Sequence, residues 1–215
     1  TKGAVNLSVV NGSNHLFVQD LLLGKNNNFL IATKHSGILQ YSFGSKTINS
    51  FVSKSDFKDA HINVRKLLYN ESDLWVGTYN GLKVIDKNNA IKTLKSNFND
   101  ASSLTKNSIK SIFKDKKGSI WVGTYYGGLN VWDKSNVNFK NITENQNKRG
   151  LNYSVVSSIA NYKDDIFFGT EGGGISVLNK KTGSYSYVNT LNCSGFKDNN
   201  IKALTLINKQ LWIGS

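Results

Sequence analysis

Five near-copies of one short apolar segment punctuate this chain: Phe29-Leu30-Ile31-Ala32-Thr33, Leu74-Trp75-Val76-Gly77-Thr78, Ile120-Trp121-Val122-Gly123-Thr124, Ile166-Phe167-Phe168-Gly169-Thr170 and Leu211-Trp212-Ile213-Gly214-Ser215. Their last residues stand 45, 46, 46 and 45 positions apart. A constant step means that one structural unit is built again and again, each copy burying its apolar side against the next. That leaves little room for any fold without internal repetition.

Each copy has the same order of segments. An aliphatic stretch comes first: Val18-Gln19-Asp20-Leu21, Val64-Arg65-Lys66-Leu67, Ile109-Lys110-Ser111-Ile112, Val156-Ser157-Ser158-Ile159 and Ile201-Lys202-Ala203-Leu204. A polar turn leads into the signature segment. A glycine-containing turn then opens a third stretch, such as Gly81-Leu82-Lys83-Val84-Ile85 or Gly128-Leu129-Asn130-Val131-Trp132. A more polar, alternating stretch such as Ser184-Tyr185-Ser186-Tyr187-Val188 ends the unit. The runs are short, β-branched and aromatic, with Gly, Asn and Asp between them, which reads as strands rather than helices. Four antiparallel strands in about 45 residues is a propeller blade.

The expected fold is therefore all-β: a β-propeller of four-stranded antiparallel blades, four full repeats plus a partial one, in a single domain over 1–215. The blades fall at about 16–55, 62–95, 109–142 and 154–189, with a partial one from 201–215 that 1–10 could complete. The chain lacks an initiator Met. Its repeat breaks off within a blade, so a segment of a larger propeller region is the favoured reading. Closure as five blades is the rival, but Gly3 and Gly37 are only 34 residues apart, against 46 between Gly81 and Gly127.

Trp75, Trp121 and Trp212 recur at one place in the signature, and Phe167 takes the same place in the fourth copy. The pattern predicts bulk packed between blades, and Trp132 on a third strand reads likewise. The glycines at 77, 123, 169 and 214 would admit close backbone approach, with Ala32 as the smallest substitute.

The net charge is +13, yet only Arg65 and Arg149 are arginines. Lysines scattered among Asn and Ser describe a solvated basic surface, and a polyanion partner is the alternative. Sites that read nucleic acid favour the arginine fork, so no nucleic-acid partner is expected. Cys193 is alone, which excludes an intrachain disulfide or a thiolate metal cluster. No apolar run approaches the length of a membrane-spanning helix. His15, His35 and His61 show no metal-binding spacing, so neither metal nor cofactor is expected. Asp164-Asp165 lies in a turn between first and second strands and reads as a solvated pair. Gly172-Gly173-Gly174 lacks the lysine and helix of a phosphate loop, and no Gly-x-Ser-x-Gly elbow occurs.

Blade topology gathers two loop sets on one face: the turns between second and third strands, and the connections between blades. Loops on a rigid scaffold are where binding concentrates. The turns offer Lys34 and His35, Tyr79 and Asn80, Tyr125 and Tyr126, and Glu171 as ligand-binding candidates. Flat aromatic faces mixed with Lys, Asn and Glu suit a hydroxyl-rich ligand better than a lipid. The plainer reading is that these are ordinary turn formers, as Asn80-Gly81 would be in any tight turn.

The stretch from Ser108 to Asn130, with Ile120-Trp121-Val122-Gly123-Thr124-Tyr125-Tyr126-Gly127-Gly128-Leu129 at its heart, resembles the repeat of the two-component regulator propeller family, and the other units are looser copies. That resemblance implies the periplasmic sensor region of a hybrid two-component regulator of Bacteroides-like bacteria. There, two seven-bladed propellers precede a β-sandwich, a membrane span and a histidine kinase. It implies a non-enzymatic role: binding a glycan-derived oligosaccharide, anionic in view of the lysine excess, and signalling to a kinase outside this chain. The implied partners are neighbouring propeller and sandwich domains in a dimeric receptor. A propeller enzyme, of the polysaccharide or cyclic-peptide lyase type, and a protein-interaction scaffold stay open as alternatives.

Overall fold

The computed structural model describes residues 16–24, 27–53, 55–59, 62–133, 136–144 and 149–215. All regular structure among them is β. The first sheet contains β1 (Val18–Leu23), β2 (Asn28–Thr33), β3 (Ile38–Ser42) and β4 (Thr47–Val52). The second contains β5 (Val64–Asn70), β6 (Asp73–Thr78), β7 (Gly81–Ile85) and β8 (Ile91–Leu94). The third runs β9 (Ile109–Lys114), β10 (Ile120–Thr124), β11 (Gly128–Asp133), β12 (Asn136–Ile142). The fourth runs β13 (Val156–Tyr162), β14 (Asp165–Thr170), β15 (Gly174–Asn179), β16 (Tyr185–Val188), and β17 (Ala203–Ile207) pairs with β18 (Gln210–Gly214). Every four-stranded sheet is an antiparallel meander in chain order, as the repeat predicts. The expected pairing of 1–10 with the last sheet lies outside the described residues, as do His15 and His61.

The first strands β1, β5, β9, β13 and β17 lie side by side, so successive sheets radiate from them. The signature strand is second in each sheet, and in the second, third and fourth it has a sheet on either side, which is why its central residues are apolar. On β6, Leu74 and Val76 join a cluster with Leu30, Ala32 and Val64 toward the first sheet. Trp75 turns the other way, among Ile109, Ile120 and Val122 of the third. Trp121 repeats the arrangement toward the fourth sheet, beside Val156, Ile166 and Phe168. Trp132 stacks on Trp75 at 5.1 Å between centroids, so it too is packing bulk.

The signature glycines stand where the next sheet's first strand comes closest. A Cβ on Gly77 would meet Ile109 Cγ2 at 2.8 Å, and one on Gly169 would meet Ile201 Cγ2 at 2.7 Å. The closing threonines have a structural task as well. Thr33, Thr78, Thr124 and Thr170 are buried, and each donates its hydroxyl to a glycine carbonyl (Gly37, Gly81, Gly128 and Gly174) at 2.7–3.0 Å. That bond fastens the turn between second and third strands.

One expectation is overturned. Trp75 and Trp121 are 4% and 6% exposed, but Trp212, at the same register position, is 59% exposed. Burial at this position comes from the following sheet, and among the described residues none covers that side of β17–β18. Gly214 shows the same difference: its nearest would-be Cβ neighbour is 3.5 Å away, within its own sheet.

Candidate functional site

The residue after the signature threonine in each complete sheet is tied to the residue just before the same sheet's first strand. The backbone N–H groups of Lys34, Tyr79, Tyr125 and Glu171 donate to the carbonyls of Phe17, Asn63, Ser108 and Val155 at 2.9–3.1 Å. Turn and connection therefore do share one face, and these four side chains take equivalent places around the sheets' inner edge.

Inside that ring stands a second one. In each complete sheet the first strand slips by one residue against the second. Pairing jumps from Val18 to Asp20, from Val64 to Lys66, from Ile109 to Ser111 and from Val156 to Ser158. The residue left over is Gln19, Arg65, Lys110 or Ser157. A bulge takes a side chain out of the pleat and re-aims it. Here all four, with Lys202 ahead of β17, line one open cavity of about 500 Å3 with Lys34, Asn63, Lys66 and Glu171. The central mouth is thus made by a repeated bulge.

Its charge is mostly positive. Lys34, Arg65, Lys66, Lys110 and Lys202 line it against the single carboxylate of Glu171. Glu171 lies between two of these cations, 3.0 Å from Lys110 Nζ and 3.3 Å from Lys202 Nζ. Burial works to raise its carboxyl. The Lys110 hydrogen bond and the charges of Lys110 and Lys202 outweigh that and hold it below the ordinary glutamate value. Lys66 is partnered by Asp20 at 3.1 Å. Arg65 donates to Ser108 Oγ at 2.8 Å and to Ile109 O at 3.3 Å, which joins the second sheet to the third. Burial lowers its pKa, countered by Tyr79 and Glu171, and an arginine so shifted stays charged. Ser157 is structural: its hydroxyl donates to Gly169 O and Ile201 O.

Aromatic rings stand over the cations. Arg65 lies 5.2 Å from the centroid of Tyr79 and Lys110 5.6 Å from that of Tyr125. Tyr126 meets Tyr125 edge-on at 4.4 Å. All three tyrosines are exposed. Tyr126 has φ 56°, a left-handed backbone that bulky residues rarely adopt, whereas the Tyr125 amide is fixed by Ser108.

Of the residues expected at a ligand site, Lys34 and Glu171 line the mouth, and Tyr79 and Tyr125 stand over its cations, with Tyr126 beside Tyr125. His35 is set aside against Phe17, ring to ring at 5.8 Å. Asn80 turns away to donate to Asp59 at 3.3 Å, in a different groove. Asp164 pairs with Lys181 at 2.9 Å and Asp165 accepts from Asn179 at 2.7 Å. Among the described residues no cluster of three or more His, Cys, Asp or Glu could hold a metal. Sequence reasoning passed over Arg65, Lys110 and Lys202. In sequence each is marked only as a polar residue after a β-branched one, a pattern that any half-exposed strand shares.

The arrangement can hold a flat polar molecule against tyrosine faces and neutralise an anionic group with several cations. Residues 103–126 match the family model described as two component regulator propeller. No curated protein matches the sequence significantly. Among solved structures, the extracellular domain of a protein described as a hybrid two component system from B. thetaiotaomicron is 18% identical, with a TM-score of 0.71 over 93% of this chain and 27% of that one. That of a one component system from the same organism is 22% identical, with a TM-score of 0.72 over 96% of this chain and 26% of that one. PorZ, described as a surface component of the type-IX secretion system of Porphyromonas gingivalis, is 17% identical, with a TM-score of 0.72 over 99% of this chain and 33% of that one. The chain spans a third or less of these proteins, and the likeness shows a shared propeller-type fold. At residues 103–126 it carries the repeat of the two component regulator propeller family.

Proposed function

We propose that this chain is a ligand-sensing part of an extracytoplasmic receptor, periplasmic in setting, which binds an anionic glycan fragment at the mouth and passes the signal to a histidine kinase elsewhere in the protein. The observation that carries this reading is the pairing of two rings: bulge-aimed Arg65 and Lys110 beneath exposed Tyr79 and Tyr125. Tyrosine faces suit sugar rings, and convergent cations suit a carboxylate or sulfate on them. The family match at 103–126 and the likeness to sensor ectodomains support a regulatory role over a catalytic one. Signalling would follow from different affinities for two arrangements of the receptor, with neighbouring propeller and sandwich domains and a dimeric partner as the moving bodies.

The test is calorimetric titration of the complete ectodomain with neutral and anionic oligosaccharides. Binding of an anionic member, weakened at least tenfold by Lys110→Ala and by Tyr125→Ala, is expected. Silence across the panel, or equal affinity for neutral and anionic members, would overturn the reading. Turnover of a polysaccharide would transfer the chain to the enzyme class. The fold shared with PorZ gives an interaction scaffold as the second reading, and a protein ligand competing at the same tyrosines would favour it.

A further inference from the structure

A second groove, about 950 Å3 in volume, opens between the first sheet and the second. Its walls are β4 with the segment that follows it and β7 with β8. It shares no lining residue with the central mouth. At its floor is Lys83, 4% exposed. The position has a polar counterpart in the third and fourth sheets. Lys83 pairs opposite Val76, Asn130 opposite Val122, and Ser176 opposite Phe168.

In the third and fourth sheets this residue is closed off by the connection leading into its own sheet. Asn130 accepts from Thr105 N at 2.8 Å and donates to Thr105 Oγ1 at 3.1 Å. Ser176 accepts from Asn152 N at 3.1 Å. The connection before the second sheet contributes a ring instead. Lys83 Nζ lies 5.7 Å from the centroid of Phe57 and donates to Thr93 Oγ1 at 3.3 Å. An ammonium has three donors. Among the described residues one hydroxyl, that of Thr93, takes one of them, and the Asp59 carboxylate favours the charge through space. A desolvated ammonium with donors to spare gains several-fold more from an anionic acceptor than a solvated one does.

The walls limit what that acceptor can be. Asp56 and Asp59 line the same groove with Lys58, Lys83 and Lys95, a balance of one positive charge that a singly charged anion neutralises and a doubly charged phosphate would overshoot. Phe51 and Ile91 give an apolar surface. We propose that this groove is a separate binding site for a small, singly charged organic carboxylate, its carboxylate on Lys83 and its apolar body against Phe51 and Ile91.

The test uses benzoate as probe, with benzamide as its neutral isostere, followed through backbone amide NMR shifts of the full chain. Benzoate is expected to move Lys83, Thr93 and Asn80 saturably, and benzamide to bind at least tenfold more weakly. Lys83→Met, which keeps the stem and removes the charge, should abolish the benzoate shifts. Thr93→Val leaves Lys83 in place and is the second variant, expected to shift benzoate affinity while leaving benzamide unchanged. Lys110→Ala, at the mouth, should leave the benzoate shifts intact, which separates this site from the proposed glycan site. Equal binding of benzoate and benzamide, or unaltered benzoate binding by a folded Lys83→Met, would overturn the proposal.

Discussion

Trp75 and Trp121 occupy the same register position, yet their indole nitrogens meet different fates. Trp121 Nε1 donates to Asp115 Oδ2 at 3.2 Å. Asp115 is itself fixed by the N–H groups of Lys117 and Ser119 at 2.9 and 3.0 Å and lies 3.6 Å from Lys180 Nζ. Trp75 Nε1 is buried with no hydrogen-bond partner. Replacing each by Phe trims a similar ring volume from a similar interface, so the packing loss is shared. What differs is the polar account. At 121 a bond to a charged acceptor is lost, at about 1.5–3 kcal/mol. At 75 an unsatisfied buried donor is removed, which returns about 1–3 kcal/mol. Trp121→Phe should therefore be the more damaging by at least about 2 kcal/mol. With an m-value of about 2–3 kcal/mol/M in urea for a domain of this size, the two midpoints should differ by about 1 M. Far-UV circular dichroism is the suitable probe, because each variant deletes a fluorophore. Coinciding midpoints, or a Trp75→Phe variant less stable than Trp121→Phe, would refute the reasoning.

Gly169→Ala should destabilise by about 2–3 kcal/mol through overpacking against Ile201 and Leu204, while Gly214→Ala stays within about 0.5 kcal/mol; chemical denaturation of both checks the contrast. Glu171 has a folded pKa below its unfolded one, so its stabilisation is present above the unfolded value and lost as pH falls through the folded value. Glu171→Gln should then trail the parent at neutral pH by less than about 1 kcal/mol, since solvent screens the site, and the deficit should vanish in acid; a deficit that grows on acidification would contradict the assignment. Tyr126→Gly relieves a left-handed backbone and should stabilise by up to about 1 kcal/mol, while weakening any glycan bound at the mouth, so melting and titration should move in opposite senses.

The propeller was legible because a period of about 45 residues leaves few other solutions, and because a strand covered on both sides must be apolar throughout. The burial of Trp75 and Trp121 followed from the same logic. Trp212 shows where that logic stops: an identical motif gives identical register, but burial depends on a neighbouring sheet that local sequence does not describe. The loop face was also readable, since strand direction alone assigns turns and connections to it. The inner ring was not. A bulge leaves Val64-Arg65-Lys66 looking like any strand, and only the observed pairing shows that Arg65 leaves the ladder. The direction of Asn80 was not readable either, because it is set by Asp59, 21 residues away in the chain.

The slip in each first strand has a wider meaning. A residue in the ladder answers to its cross-strand neighbours and to the sheet it packs on, so few replacements are tolerated. Gln19 and Lys110 have been released from pairing while their neighbours remain held. Chemistry at the axis can therefore be exchanged one position at a time with little effect on how the sheets assemble, and a scaffold of this design can change what it recognises far faster than it changes shape.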